Sequence, residues 1–453
     1  MNKVLILGGG GVRTLLVVHG LARARSVLGT RELTLFDVSG ERAEIIARIG
    51  REIVRQLDGG FEIHVEPVLE RAAEGADIVL NSVRVGGMSA RARDERIAIE
   101  CGLAGQETTG PGGAAMALRS IPVSLTQARV IERIAPEAWF INFSNPAGVM
   151  TQALSYQTGL RVIGICDTPA ELFFQIAEAR GAPLTEFEFD YAGLNHLGWV
   201  YSVRQKGEAI TAEILEDEAL LRRLYPADLF DPAMIRTMGL IPTEYLFFYY
   251  SQERAYRNQL RAGASRGEEL VRMNDDLFRR LGAEDPATAL ETYRSYLKRR
   301  NASYFKLEAR AESAFEAKPP AYDPFETATG YHRIALEVMT ALATDTPTEV
   351  VLNVPNRGVL DDLAASDVVE VPCDVDGSGA RPRHIGRLPS ASRGLVEAVK
   401  EYERLLIQAV SKGSRDLARL ALMQNPIVGE WELAGRLLDR LIEADPQHLG
   451  YLK

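Results

Sequence analysis

Along the first third of the chain, short apolar runs alternate with stretches whose apolar residues recur at helical spacing. Residues 4–7, 33–36, 76–81, 139–142 and 161–165 read as buried strands. Between them, residues 16–24 have helical character, and residues 43–57 carry Ile45, Ile46, Ile49, Ile53 and Val54 at helical spacing. Strands alternating with helices predict an α/β fold, a doubly wound, Rossmann-like parallel sheet. Such sheets build their sites at the carboxyl ends of the strands, where Asn81, Asn142 and Cys166 fall. From about Glu186 the pattern changes. Residues 212–312 read mostly as helix, with charged faces at 277–280 and 293–300, and residues 348–353 and 368–371 read as strands. A Gly/Pro/Arg-rich loop follows at 376–382, then a mostly helical tail at 395–443, interrupted near Pro426. The last segment of that tail pairs Glu432 with Arg436, Arg436 with Asp439 and Arg440 with Glu443 at helical spacing, as a solvated face would. The expected division is 1–185 and 186–453, the second part being a C-terminal α+β domain.

The 453 residues are 46% hydrophobic and 25% charged, enough for two or three packed units. A formal net charge of −10 argues against a general nucleic-acid or membrane surface and leaves room for a local basic pocket. No apolar run is long enough to span a bilayer, and the chain passes from Lys3 directly into a strand, so no secretory signal is expected. Three cysteines (Cys101, Cys166, Cys373) make a poor disulfide framework, which points to a reduced, cytoplasmic setting.

The first candidate site is the turn Gly8-Gly9-Gly10-Gly11-Val12-Arg13-Thr14. It supplies Gly8-x-Gly10 and then departs from GxGxxG, with Arg13 where the third glycine would stand. A glycine turn alone is equally a tight strand-to-helix connection. Here it follows a strand, opens a helix, and is followed by a second strand ending at Asp37. Glycines let the backbone approach a pyrophosphate, and an acid at that position bonds both ribose hydroxyls while disfavouring a 2′-phosphate. Gly8, Gly10, Gly11, Val12, Arg13 and Asp37 are therefore candidate NAD-binding residues.

The second candidate is Cys166-Asp167-Thr168-Pro169 with His196, thirty residues after the cysteine, in Gly193-Leu194-Asn195-His196-Leu197. A soft sulfur and an imidazole suggest a metal. The plainer alternatives are a buried strand-end cysteine and a satisfied core histidine. Polar residues are also dense at 85–95, 105–113 and 142–148, and in Ile241-Pro242-Thr243-Glu244-Tyr245-Leu246. Taken in order with Leu352-Asn353-Val354-Pro355-Asn356-Arg357-Gly358, Val369-Glu370-Val371-Pro372 and Gly386-Arg387-Leu388-Pro389, these blocks resemble family 4 of the glycoside hydrolases. That family comprises NAD- and manganese-dependent phosphoglycosidases and α-glycosidases, and the resemblance runs from Val4 to the tail.

The resemblance implies a lactate/malate dehydrogenase-like fold and a redox-assisted elimination. The sugar C3 hydroxyl is oxidised by bound NAD, a base removes the C2 proton, the glycosidic oxygen leaves, water adds and the hydride returns; this departs from the two-carboxylate scheme. It implies Cys166 and His196 as ligands of Mn²⁺ or another divalent metal, and Tyr245 as the base at C2, although Tyr245 could equally be aromatic packing. It assigns Glu107 to the tyrosine's basicity; since a carboxylate raises a phenol's pKa, a proton-accepting relay is the expected physical role. Asp167 matches the proton donor of α-phosphoglucosidases, where β-selective members usually carry Asn; the alternative is an Asp-Thr-Pro turn or helix cap. Arg91, Asn145 and Arg266 match substrate-contacting positions, Arg91 being otherwise a solvated helix residue. Phe247 stands where the family usually has a basic residue after Tyr-Leu. The implied substrate is a 6-phospho-β-glucoside, with an α-glycoside as alternative, and the implied assembly a homodimer or homotetramer. Two other classes stay open: a 2-hydroxyacid dehydrogenase, and a binding protein that senses NAD without turnover.

Overall fold

The computed structural model describes residues 1–225, 227–309, 323–327 and 329–453. Its strands are β1 (Lys3–Leu7), β2 (Glu32–Phe36), β3 (Glu62–Val65), β4 (Ile78–Asn81), β5 (Trp139–Asn142), β6 (Arg161–Gly164), β7 (Phe187–Leu194), β8 (Leu197–Gln205), β9 (Glu208–Ala209), β10 (Ile241–Pro242), β11 (Thr348–Pro355), β12 (Val368–Asp376) and β13 (Gly379–Pro382). The first six pair in parallel in the order β3-β2-β1-β4-β5-β6, the doubly wound arrangement the strand–helix alternation predicts. β1 is buried at every position because helices cover both faces of the sheet, so its sequence is continuous rather than alternating. The helix Gly40–Gln56 shows the sequence logic locally. The Ser39 hydroxyl accepts from the Arg42 amide at 3.3 Å, and Ile46, Ile49 and Ile53 are buried along one stripe.

The second half adds strands to the same sheet. β11 lies beside β6, joined by the single backbone pair Asn353–Gly164, and β12 lies beside β7 through the single pair Glu370–Gly193. The parallel strand pairs fall within residues 1–185 and the antiparallel pairs within 186–453, except the antiparallel β6–β11 pair, through which one sheet crosses the boundary. Several elements escape the sequence reading, among them β13, which pairs with β12 inside the stretch 376–382 expected as a loop. β3 is short, and Ile63 is its one buried residue. The β7–β8 hairpin does not alternate: Glu188 is exposed, but Tyr191–Leu194 and Leu197–Val200 are buried at every position. β10 is only two residues and interrupts the stretch expected as helix, where Ile241 pairs with Val200. The longest helices of that stretch are Gln252–Ala262, Arg266–Ala283 and Pro286–Ala302, and residues 226 and 310–312 of it lie outside the described residues. The tail comprises Ser390–Lys412, Arg415–Gln424 and Trp431–Ala444. Its charges reach other elements rather than one another: Asp439 pairs with Arg415, and Arg440 with Glu100. Among the described residues no helix is long and apolar enough to cross a membrane.

Candidate active site

The glycine turn leaves β1 with Gly8 at φ +80°, where a Cβ would stand 2.7 Å from the Ser82 carbonyl oxygen. Only glycine meets both demands. The amides of Gly8 and Gly9 donate to the Phe36 carbonyl at 2.9 and 3.0 Å, and the Gly10 amide donates to Asp37 Oδ2 at 2.9 Å. The carboxylate at the end of β2 is thereby fastened to the turn. The helix that follows, Thr14–Arg23, has no side chain capping its N-terminus. Bare backbone, an uncapped helix start and an anchored acid fit a dinucleotide. Arg13 departs from that cluster: its guanidinium lies 4.3 Å from the Tyr331 ring centroid, in the wall of a neighbouring cavity.

That cavity encloses about 510 Å³ and collects residues from across the chain. Of the residues singled out from the sequence, Arg13, Arg91, Glu107, Asn145, Asp167, Tyr245 and Arg266 line it. Asp167 stands at the N-cap position of the helix Thr168–Ala179, as the cap alternative places it, but its side chain makes no capping hydrogen bond. Burial raises its pKa to about 6, against the opposing pull of Arg13. An acid that is partly protonated near neutrality can donate a proton.

Arg91 is not on a solvated face. It lies in the helix Gly87–Glu100, 8% exposed, and pairs with Glu95 at 2.7 Å and Glu107 at 2.9 Å. Glu107 is also held by Arg84 at 2.5 Å, and despite its burial these arginines, with Arg13, keep it ionised well below the usual carboxylate range. So firmly held a carboxylate is a poor proton acceptor, which opposes the relay expected for Glu107 and leaves it as the counter-charge that orients Arg84 and Arg91.

Tyr245 is buried, its hydroxyl 2.8 Å from that of Tyr304. Burial, then Glu107 and Glu244, push its pKa above the ordinary phenol value. A phenolate there therefore requires added positive charge. The His196 ring stacks on Tyr245, centroids 3.9 Å apart and planes within 10°. His196 occupies the β7–β8 turn at φ +60°, a left-handed conformation rare for a side chain with a Cβ and concentrated at functional positions. Its Nδ1 lies 2.9 Å from Thr108 Oγ1, which in turn donates to Gln106 Oε1 at 2.9 Å. With the hydroxyl proton spent on Gln106, the Thr108 oxygen accepts from Nδ1–H. The Nε2 lone pair is then left free, and Nε2 is buried without a partner. Burial lowers the His196 pKa to about 4, so the ring is neutral.

Cys166 is buried two residues beyond β6, where burial, Glu370 and Asp167 raise its thiol pKa well above the usual range. A thiolate at that position also needs a cation beside it. Among the described residues no group of three or more His, Cys, Asp or Glu side chains gathers as a metal site. A neutral imidazole with an orphaned nitrogen and a cysteine that ionises only beside a cation fit a divalent metal whose remaining positions are filled from outside the protein.

Phe247, where a basic residue was expected, is fully buried with the Arg254 guanidinium 4.6 Å from its ring centroid. Sequence reading passed over Arg84, Thr108 as the partner of His196, Tyr304, Tyr331 and Arg300. It also gave no role to Glu244, whose pKa burial raises to about 8. Arg84 was within reach, because it lies three residues past the end of β4, on the side of the sheet where sites form.

Comparison with known proteins adds to this geometry. The model described as family 4 glycosyl hydrolase matches residues 3–181, and that of the family 4 glycosyl hydrolase C-terminal domain matches residues 191–428. The chain is 29% identical to a Bacillus subtilis protein named a probable 6-phospho-beta-glucosidase, over 99% of this chain and 97% of that one. It is 27% identical to a phospho-alpha-glucosidase of Clostridium acetobutylicum, over 98% and 97%. The solved 6-phospho-beta-glucosidase of Thermotoga maritima, in a form with manganese, NAD+ and glucose-6-phosphate, superposes with a TM-score of 0.82 at 26% identity over 99% of both chains. Malate dehydrogenase of Cryptosporidium parvum, at 13% identity and a TM-score of 0.53 over 91% of this chain and 99% of that one, shares the fold alone. The expected dehydrogenase-like architecture is thus present in a different kind of enzyme: the chain belongs to family 4 of the glycosyl hydrolases.

Proposed function

We propose that this glycosidase hydrolyses 6-phospho-β-glucosides by elimination and re-addition, with NAD and Mn²⁺ as cofactors. The names and ligands of the similar proteins support the substrate and cofactors. The observation that carries the mechanism is that Tyr245, which lines the same cavity as Asp167, is stacked on a neutral His196 with an unpartnered Nε2. When bound, NAD supplies a hydride acceptor, and a divalent cation supplies Lewis-acid charge beside the sugar oxygens. Gly8, Gly10, Gly11, Val12 and Asp37 hold the nucleotide, and Cys166 and His196 hold the cation. Tyr245 takes the C2 proton, and Asp167 gives a proton to the leaving oxygen. Arg91, aligned by Glu107, orients the sugar together with Asn145 and Arg266. Residues 1–185 serve as the nucleotide domain and 186–453 complete the sugar and metal sites and carry the contacts of a homodimer or homotetramer in the cytoplasm.

A second reading, cleavage of α-linked substrates, is favoured by one observation: an acid with a pKa of about 6 next to Cys166. A panel of α- and β-nitrophenyl glycosides, with and without 6-phosphate, separates the two. Run in D₂O, the product is expected to carry deuterium at C2, and NAD to be needed in no more than enzyme-equivalent amounts. A product protiated at C2 rules out elimination, and stoichiometric NADH favours a dehydrogenase. With leaving groups that need protonation, kcat/KM is expected to fall as pH rises through about 6, where Asp167 loses its proton, and Asp167→Asn removes that limb.

A further inference from the structure

Arginines reach the cavity from four places: Arg13 after the glycine turn, Arg91, Arg266 and Arg300. Two of them are engaged by carboxylates, Arg91 by Glu95 and Glu107, and Arg266 by Glu269. Arg266 also donates to Ser303 Oγ at 2.7 Å and to the Arg300 carbonyl at 2.9 Å. Arg300 differs. It lies in the last turn of the helix Pro286–Ala302, half-buried, and among the described residues no carboxylate hydrogen-bonds or ion-pairs with its guanidinium. Burial lowers its pKa and Arg13 lowers it further; Tyr296 opposes this, and Arg266 and Arg91 add to the lowering.

Of the acids lining the cavity, Asp167 feels Arg300 electrostatically but makes no hydrogen bond or ion pair with it among the described residues, and Glu171 is engaged by the Thr329 hydroxyl. Glu107 and Glu95 are committed to other partners, the former to Arg84 and Arg91, the latter to Arg91 and the Gly267 amide. Glu244 and Glu308 are raised to about 8 and about 7, chiefly by burial, so Glu244 is mostly protonated at neutral pH and Glu308 about half so. Holding an uncompensated guanidinium among like charges costs stability, and the arrangement makes sense where a ligand brings the countercharge.

We propose that Arg300 is the anchor for the 6-phosphate of the sugar, its planar fork gripping two phosphate oxygens while Arg13 and Arg266 supply flanking positive charge. This rests on the phosphoglycoside reading and adds to it the residue that selects the phosphate. A fork of this kind suits a phosphate better than an ammonium does, so lysine is only a partial substitute.

The test is equilibrium binding to the NAD-loaded, manganese-loaded protein, with glucose 6-phosphate, glucose, glucuronate and inorganic phosphate as probes. Wild type is expected to bind glucose 6-phosphate at least ~100-fold more tightly than glucose. Arg300→Met is expected to weaken glucose 6-phosphate and inorganic phosphate by about 10- to 100-fold, the range for a charge-assisted pair, leaving glucose and NAD affinities in place. Arg300→Lys should recover part of the loss, and covers the case in which the Met variant does not fold. Equal weakening of glucose and glucose 6-phosphate, a loss confined to NAD, or tighter binding of glucuronate than of glucose 6-phosphate overturns the assignment. Phosphate-selective binding that depends on Arg300, in an enzyme that cleaves no 6-phosphoglycoside, defeats the proposed function and leaves the anchor standing. Wild type binding glucose 6-phosphate no better than glucose defeats the anchor whatever the turnover.

Discussion

The two halves of the site are made in opposite ways. The nucleotide turn is written in a run of neighbouring residues, Gly8 to Thr14, with one distant contributor, Asp37, tied to it by a backbone hydrogen bond. The cavity proposed for the sugar draws on residues from Arg13 to His332 and is organised by charge: two arginines on Glu107, a phenol stacked on an imidazole, and a guanidinium with no carboxylate partner among the described residues. Backbone geometry tolerates no side chain, whereas a charge network tolerates no missing partner. The first fails locally when altered, and the second fails at a distance.

Substitutions can separate the two. The largest effect is expected from Tyr245→Phe, which keeps the ring stacked on His196 and removes only the hydroxyl. Turnover should fall by about 10²–10⁴-fold, with NAD affinity and melting temperature unchanged. A variant running at the wild-type rate makes Tyr245 a packing residue. Next is Glu107→Gln, which leaves Arg84 and Arg91 without their shared countercharge. The fold should lose about 3 kcal/mol in urea denaturation, as when one member of a buried pair is removed. A loss of turnover without loss of stability would restore the relay role and weaken the contrast between the halves.

Thr108→Val removes the acceptor of the His196 Nδ1 proton while leaving the ring where it is. Metal affinity, measured by titration, should fall by about 10- to 100-fold with no change in NAD binding. The smallest effect belongs to the turn. Gly8→Ala forces a left-handed residue against the Ser82 carbonyl and should cost about 1–2 kcal/mol of stability, together with weaker NAD binding. If it also impaired sugar binding by the NAD-loaded enzyme, the two halves would be less independent than their construction implies.

What could be read in advance follows the same line. The parallel strands, the glycine turn and Asp37 were legible because each is a contiguous signal with its own period or turn chemistry. The cavity residues were reached through an ordered series of blocks, since nothing within Gly105–Thr109 announces that Thr108 will meet a histidine eighty-eight positions later. Arg300 was read as part of a charged helix face, because its spacing carries no mark distinguishing a cavity from solvent. Phe247 shows the limit from the other side: an expected basic residue is replaced by a ring that packs in the core, with Arg254 stacked against it. Glu107 lines the cavity, but its sequence carries no sign that two arginines hold its carboxylate.

The seam within the sheet has a bearing on the metal. Cys166 follows β6, on the parallel side, and His196 is carried by the β7–β8 turn, on the antiparallel side. Between them lie β11 and β12, which touch their outer neighbours through one backbone pair each. The polar cluster across this stretch is made of side chains: Glu370 accepts from Tyr191 at 2.6 Å, Asn353 at 2.9 Å and Asn195 at 3.3 Å. The gap spanned by the proposed ligand pair is therefore a matter of strand alignment. Sliding either flank by one residue would displace its donor by about 3.3 Å, far beyond the few tenths of an ångström that a metal–ligand bond allows. Glu370 and its three donors fix β7 and its turn to β11 and β12, and the remaining step to β6 is carried by the Asn353–Gly164 pair.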